Sequence, residues 1–235
     1  MIGTFIDIET TGFLAYDKDE KGIAKLRDDR EILEVGFLIA DMATKKILNH
    51  GVLYFYKPYF QIENDAQAIH GLTRPFLKNY EQDFEKNLII LNSIIQNTCI
   101  VGKNSTNFDI PFIKAFLEKH IGPMYDIGHM VFKENMKTYG EAPFLYDPNI
   151  TSLDMQILYH DKYRDRYYDK YQRMPAPNKK GKLEEYIELI PGGLEATQHV
   201  YNSLTKDRET GAHGALYDTV MTYIVWCDAK NNKLC

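Results

Sequence analysis

One segment near the N-terminus constrains the fold more than any other, and it reads Phe5-Ile6-Asp7-Ile8-Glu9-Thr10-Thr11-Gly12. In an extended strand the side chains at positions i and i+2 lie on the same face. Asp7 and Glu9 therefore project together, while Ile6 and Ile8 enter a core on the opposite side. The sequence predicts a strand over residues 4–9, which the Thr-Thr-Gly triplet ends.

Two carboxylates in one small space repel each other unless a divalent cation offsets their charge. Hard oxygen ligands suit Mg²⁺ or Mn²⁺, so Asp7 and Glu9 are candidate metal ligands. A solvent-exposed acidic strand face is the alternative for an Asp-x-Glu pattern alone. The Thr-Thr-Gly triplet that follows favours the metal site.

Length and charge restrict the class of protein. The chain has 235 residues, which suits one domain, or one domain with insertions. Its net charge of −5 argues against a protein that coats duplex DNA, because that mode needs many phosphate-neutralising Lys and Arg residues. An enzyme that acts at a strand end with clustered carboxylates remains compatible with this charge.

The three cysteines, Cys99, Cys227 and Cys235, are too few and too widely spaced to indicate a disulfide framework or a CxxC zinc site. No charged and apolar leader opens the chain, and no uncharged run approaches about 18 residues. We therefore expect neither secretion nor membrane spanning, and a cytoplasmic location.

Alternating strand and helix patterns predict an α/β fold with a mixed sheet. The charged stretch over residues 17–30 is expected to be a solvated hairpin loop, and a strand or helix starts around 153–159. Residues 122–150 show no clear period and are interpreted as an insertion. The predicted strands span 4–9, 32–40, 47–56 and 99–101, and the predicted helices span 84–95, 107–120, 183–190, 194–204 and 214–230.

Residues 5–12 resemble the first motif of the DEDDh 3′→5′ exonucleases, a group similar to the proofreading subunit of bacterial replicative DNA polymerase. A second motif is similar over Val101-Gly102-Lys103-Asn104-Ser105-Thr106-Asn107-Phe108-Asp109. Asp109 would be the third acid, and Lys103 stands where many members have His. The resemblance implies a ribonuclease H-like mixed five-stranded sheet flanked by helices. It also implies a single exonuclease domain over 1–235, with insertions around 122–150 and 160–182.

The third motif is His-x4-Asp, and two pairs fit it, His160 with Asp165 and His213 with Asp218. The second pair is favoured because it opens the C-terminal amphipathic helix, as the family pattern requires. The histidine, rather than tyrosine, at the first position resembles the DEDDh branch.

The resemblance implies hydrolysis with two Mg²⁺ or Mn²⁺ ions beside the scissile phosphate. Asp7 would contact both ions, Glu9 and Asp218 would complete the first site, and Asp109 would bind directly or through water. His213 would accept the proton of the attacking water near neutral pH. The products would be nucleoside 5′-monophosphates.

The resemblance also places three residues beside the substrate: Thr10, His70 and Asn104. His70 lies in Ile69-His70-Gly71-Leu72-Thr73, which resembles a family segment next to the nucleic acid. A lone histidine in such a segment is otherwise a structural residue. Residues 31–36 match the family's second strand, and 152–154 match a later strand whose Asp is commonly structural.

Four tyrosines recur every fourth residue in the Tyr-rich segment: Tyr159, Tyr163, Tyr167 and Tyr171. Helical spacing places their rings on one face. One hypothesis is a platform on which single-stranded bases stack, with nearby Lys and Arg following the backbone. The favoured alternative is a helix that packs this stripe on the domain.

Three functions are weighed. The first is a 3′→5′ exonuclease that hydrolyses terminal phosphodiester bonds of DNA, at single strands or frayed 3′ ends, with a polymerase as a candidate partner. An exoribonuclease using the same site is the alternative, because the motifs organise metal without reading the sugar. A non-catalytic nucleic-acid-binding module is disfavoured because all five expected site residues are present.

Overall fold

The computed structural model describes residues 1–13, 16–18, 24–26, 29–96, 98–105, 108–121, 151–154, 163–172, 182–205 and 214–231. Within them, the strands are β1 (Ile2–Thr10), β2 (Tyr16–Lys18), β3 (Ala24–Leu26), β4 (Ile32–Asp41), β5 (Ile47–Tyr54), β6 (Cys99–Gly102) and β7 (Thr151–Asp154). The α-helices are α1 (Asn64–His70), α2 (Arg74–Leu77), α3 (Phe84–Ile95), α4 (Asp109–Ile121), α5 (Arg164–Tyr171), α6 (Leu183–Ile187), α7 (Gly193–Leu204) and α8 (Ala215–Asn231). A 3₁₀ helix spans Lys78–Asp83.

Five strands form one mixed sheet in the order β5-β4-β1-β6-β7. β4 pairs antiparallel with both β1 and β5, whereas β6 runs parallel to β1 and to β7. The predicted mixed five-stranded sheet flanked by helices is therefore confirmed. β1 lies at its centre, so its carboxyl end meets the ends of the two strands parallel to it.

Each face of the sheet carries its own hydrophobic core. On one face Ile6 and Ile8 of β1 pack with residues of α3 and α4, among them Leu91 and Phe116. On the other face Phe5 packs with residues of α5 to α8. The alternation predicted for β1 is confirmed, and it directs Asp7 and Glu9 towards the layer that contains α8.

The third layer is built around α8, whose Leu216, Val220 and Trp226 are buried against the sheet. Its C-terminal end is fixed by Lys45 from the turn between β4 and β5, whose ammonium donates to the carbonyl of Cys227 over 3.1 Å and to Asn231. A cation at this end also complements the helix dipole. The helix is therefore held at a fixed position across the sheet.

Most predicted elements are confirmed, with ends that move by a few residues. The charged stretch expected to be a hairpin loop contains two short strands, β2 and β3, which pair antiparallel. Of the strand or helix start predicted around 153–159, residues 153 and 154 belong to strand β7, and 155–159 lie outside the described residues. The insertion at 122–150 lies outside the described residues, so the single-domain organisation stays a prediction. No helix in the described ranges is both long and apolar enough to cross a membrane.

Candidate active site

Asp7 and Glu9 are partly accessible residues in the otherwise buried strand β1. From Gly3 to Thr10 every residue is buried except Asp7 and Glu9, which stay partly accessible. Both lie near the carboxyl end of β1, where ligands commonly bind to sheets with parallel strands. The strand thus presents two carboxylates at an accessible edge of a packed sheet.

Asp109 reaches the same edge from the first turn of α4, just beyond β6. The turn between them is tight: Asn104 adopts a left-handed φ of 59°, and its carbonyl accepts the N–H of Phe108 over 3.0 Å. The N–H of Ile110 donates to the carbonyl of Ser105 over 2.9 Å. These bonds fix the start of α4 and keep Asp109 buried.

Asp218 lies in the first turn of α8, which packs directly on β4. Gly36 makes this approach feasible, because a Cβ at that position would overlap the backbone of Ala215 and Leu216. The hydroxyl of Thr219 fastens the contact, donating to the carbonyl of Gly36 over 3.1 Å and to that of Ala215 over 2.8 Å. Since Gly36 lies opposite Asp7 in the sheet, the first turn of α8 lies over Asp7.

Glu34 is a fifth carboxylate in this region. It pairs with Glu9 in the antiparallel register and is 3% exposed. Burial raises its pKa to about 7, although the backbone N–H of Ala215 hydrogen-bonds to the carboxylate and opposes the rise. Asp218 raises that pKa as well. Glu34 therefore serves as a tertiary cap for the free N–H groups at the start of α8.

The charges of these acids act on one another. Burial raises the pKa of Asp7 well above its ordinary value, and the neighbouring carboxylates of Asp218, Asp109, Glu9 and Glu34 raise it further, in that order. Burial is also the main reason that the pKa of Glu9 rises to about 8, with the other acids adding to it. Carboxylates from β1, α4, α8 and β4 therefore share one electrostatic environment.

Two features offset part of this repulsion. Asp109 and Asp218 each lie in the first turn of a helix, where the helix dipole favours negative charge. Lys103, the residue after β6, adds a cation whose pKa is lowered by burial and raised by Glu184, Asp218 and Asp7. The remaining excess of negative charge is what a bound cation would neutralise.

The Thr-Thr-Gly triplet closes the edge as a buried turn. Thr11 donates its N–H to the carbonyl of Glu31 and accepts the N–H of Glu31 on its hydroxyl, both over 2.9 Å. Glu31 in turn forms an ion pair with Lys119 and a hydrogen bond of 2.8 Å with Nε2 of His120. The far end of α4 is thereby tied to the segment that follows Glu9.

The three residues predicted beside the substrate have different surroundings. The Thr10 hydroxyl is buried and donates to the carbonyl of Gly12 over 2.8 Å, so it is used within the turn. His70 is buried, its Nδ1 accepts the N–H of Leu72 over 2.9 Å, and burial lowers its pKa. The backbone of Thr10 opposes this shift, although Nε2 has no hydrogen bond of good geometry. Asn104 is partly buried in the turn before α4.

The histidines of the third motif, His213 and His160, both lie outside the described residues, so the choice between them stays a prediction. The acids of the two pairs are described. Asp218 lies beside Asp7, whereas Asp165 is an exposed residue of α5, in the segment that packs on the second core. The position of Asp218 favours the pair that contains His213.

The donor chemistry of the site suits hard divalent cations, because Asp7, Glu9, Asp109 and Asp218 supply only carboxylate oxygens and carry excess negative charge. Among the described residues, no three Asp, Glu, His or Cys side chains are arranged, as they stand, to hold a metal ion. The fit therefore rests on the charge and chemistry of the donors.

The Tyr-rich helix α5 packs on the domain. The rings of Tyr163 and Tyr167 are fully buried. The hydroxyl of Tyr163 donates to Asp228 over 2.7 Å, and that of Tyr167 to Glu185 over 2.6 Å. Rings in these positions cannot stack on bases, so the platform hypothesis is wrong for both, and the packing alternative is confirmed for them. Tyr159 lies outside the described residues.

Solved structures share this fold at low sequence identity. The chain aligns over 99% of its length with Escherichia coli Exonuclease I in complex with a dT13 oligonucleotide, with a TM-score of 0.63 and 14% identity, and covers 41% of that chain. A full-length 3′-exonuclease aligns with a TM-score of 0.51 at 13% identity, over 99% of this chain and 82% of that one. Exonuclease I from Methylocaldum szegediense gives a TM-score of 0.53 at 14% identity, over 99% and 41% of the two chains. The chain thus spans 41% of the length of both Exonuclease I proteins.

The fold and its acidic edge define a ribonuclease H-like nuclease of the DEDD type. Residues 4–139 match the profile of the RNase T family, described as "Exonuclease". The chain therefore belongs to this exonuclease family. None of the curated proteins matches the sequence. The resemblance drawn from the motifs is confirmed at the level of the family, and the likeness to a polymerase proofreading subunit stays a prediction.

Two residues near the site were not assigned a role from the sequence. The sequence predicts Glu34 only as a residue of a strand. In the structure Glu34 lies opposite Glu9, just as Gly36 lies opposite Asp7. Lys103 was recognised as a departure from the family pattern, without a role. Both assignments need the strand register, which the sequence alone does not provide.

Proposed function

We propose that this domain removes nucleotides from the 3′ end of single-stranded DNA by metal-dependent hydrolysis and releases nucleoside 5′-monophosphates. The carrying observation is that the carboxylates of Asp109 and Asp218, from separate segments, raise the pKa values of both Asp7 and Glu9 at one edge of the sheet. The DNA substrate is supported by a neighbour of the same fold whose structure contains a dT13 oligonucleotide.

In this mechanism Asp7, Glu9, Asp109 and Asp218 would hold two Mg²⁺ or Mn²⁺ ions. When bound, such ions neutralise charge on the phosphate and activate water. His213, the residue before Gly214, accepts the proton of the attacking water, because a neutral imidazole is a competent base near pH 7. The buried bonds of the Thr-Thr-Gly turn and of Thr219 keep the carboxylates in place during turnover.

The test uses matched single-stranded DNA and RNA oligonucleotides with a 5′ label, in Mg²⁺ or Mn²⁺. We expect the DNA to shorten stepwise from its 3′ end, and we expect EDTA to stop the reaction. Asp7→Asn should abolish cleavage, whereas Asp65→Asn, which changes an exposed acid of α1, should leave it unchanged.

Other outcomes would point to a different substrate or activity for the domain. Faster shortening of RNA than of DNA would replace the DNA substrate with RNA at the same site. Binding without any cleavage in Mn²⁺ would support a nucleic-acid-binding module that has kept the fold. Shortening by the Asp7→Asn protein at the wild-type rate would contradict the role of the carboxylate cluster.

A further inference from the structure

Lys103 lies beside the acidic edge by virtue of the parallel pairing of β1 and β6. The register pairs Phe5 with Val101, and a Cβ at Gly102, the last residue of β6, would lie 3.2 Å from the carbonyl oxygen of Ile6, so Lys103 leaves β6 beside Asp7. Val101 packs in the core that contains α8, and the charges of Glu184 and Asp218, from α6 and α8, act on Lys103 from that same side. Its side chain is partly buried at this position.

Several carboxylates lie around the ammonium of Lys103. Glu184, Asp218, Asp7 and Glu185 all lie close enough to raise its pKa. A partly buried ammonium in these surroundings is a fixed positive charge that an anion entering the site would meet.

We propose that the ammonium of Lys103 binds a phosphate oxygen of the nucleotide held at the carboxylate cluster. The assignment rests on the proposed function, which brings a phosphate to this edge. Lysine acts as a compact point charge towards phosphate, and a cation fixed in the site stabilises charge that develops during hydrolysis. The position beside Asp7 places Lys103 among the groups that meet the scissile bond.

The competing explanation is that Lys103 only offsets the repulsion among the carboxylates. The two roles predict different effects of removing the charge. Loss of a phosphate contact weakens binding of a nucleotide and leaves binding of the nucleoside unchanged. Loss of a counter-charge makes the site more negative, so it strengthens binding of Mn²⁺ and, with Mn²⁺ bound, lowers nucleotide affinity far less than loss of a direct contact does.

The experiment compares Lys103→Met with wild-type protein by calorimetry, using thymidine 5′-monophosphate, thymidine and Mn²⁺ as separate titrants. We expect affinity for the monophosphate, in Mn²⁺ buffer, to fall by about 10- to 100-fold, as for a lost charge-assisted hydrogen bond, with no change for thymidine. Lys103→Arg should retain most of the affinity because it keeps the charge. Lys114→Met is the matched control, since Lys114 is a partly exposed lysine of α4 that pairs with Glu118.

Unchanged affinity of Lys103→Met for the monophosphate would overturn the assignment, whether or not Mn²⁺ binds more tightly. That result, obtained with a wild-type protein that shortens DNA, would leave the proposed function intact. A wild-type protein that neither binds the monophosphate nor cleaves DNA would overturn the proposed function and this assignment together.

Discussion

Gly36 lies opposite Asp7 in the antiparallel pairing of β1 and β4, and the first turn of α8 packs directly against it. Because Gly36 on β4 has no side chain, α8 can approach Asp7 on the neighbouring strand β1 closely. The helix carries Asp218, so the spacing between the two acids depends on this glycine.

Gly36→Ala should separate the two acids. The added methyl group overlaps the backbone of Ala215 and Leu216, which cannot rotate away, so α8 must shift. We expect a loss of about 1 to 3 kcal/mol in the free energy of unfolding and a fall in cleavage rate of about 100-fold, the usual effect of misplacing catalytic groups by about 1 Å. Chemical denaturation and a 3′-end cleavage assay measure the two effects.

Gly51→Ala is the matched control for this variant. A Cβ at Gly51 would meet the ring of Phe37 at 2.9 Å, far from the acids and against a side chain that can adjust. We expect it to lose stability without losing activity per folded molecule. Equal losses of activity in both variants would show that Gly36 acts through general stability only.

Glu34 should be replaceable by an uncharged acceptor but not by alanine. Glu34→Gln keeps an oxygen for the N–H of Ala215, whereas Glu34→Ala removes the cap. We expect the alanine variant to lose about 0.5 to 2 kcal/mol of stability, as for other helix caps, and to cleave more slowly than the glutamine variant. Thermal unfolding and initial cleavage rates of the two proteins provide the comparison, and identical behaviour would exclude the capping role.

Stability of the metal-free protein should fall as the pH rises. Glu9 has a pKa of about 8 in the folded protein against an ordinary value of 4.5, so the folded state binds its proton more tightly than the unfolded chain does. Stability from this group is therefore present below about pH 4.5 and is lost as the pH rises through about 8. We expect Tm in EDTA to be lower at pH 8 than at pH 5.

Glu9→Gln tests this explanation because the amide does not titrate. Its Tm should depend less steeply on pH than that of the wild-type protein. Addition of Mn²⁺ at pH 8 should raise the wild-type Tm, since a cation that binds only the folded state stabilises it. A wild-type Tm that rises between pH 5 and pH 8 in EDTA would contradict the pKa shift.

His213→Ala should lower the cleavage rate by about 10² to 10⁴, the contribution expected of a general base. His160→Ala is the matched control from the competing His-x4-Asp pair and should retain wild-type activity. The rates are compared at saturating DNA, so that a change in binding does not hide the effect. If His160 were essential and His213 were not, the general base would instead be His160 in the Tyr-rich segment.

The sequence predicts the fold well wherever a short-range pattern decides the outcome. The alternation in β1 and the apolar spacing of α3, α4 and α8 give elements close to those observed, because each buries a face that its own period defines. The charged stretch before β4 was expected to be only a loop, since pairing between β2 and β3 depends on contacts that composition does not reveal.

The candidate site is only partly predictable, because several of its contacts depend on strand register. Asp7, Glu9, Asp109 and Asp218 stand out through their motifs. Glu34 becomes a neighbour of Glu9, and Lys103 of Asp7, only through pairings between distant strands. For the four tyrosines of the Tyr-rich segment, helical spacing predicts that the rings share one face. It does not predict whether that face contacts nucleic-acid bases or the protein core.

The carboxylates are drawn from all three layers of the molecule: β1 in the sheet, α4 packed on one side of it and α8 on the other. Hydrolysis therefore requires both helical layers to be docked at the same moment. On warming, catalytic competence should disappear when the weaker of the two interfaces opens, before bulk helix content declines. Reinforcing that interface alone would prolong the working life of the enzyme, whereas reinforcing the stronger one would not.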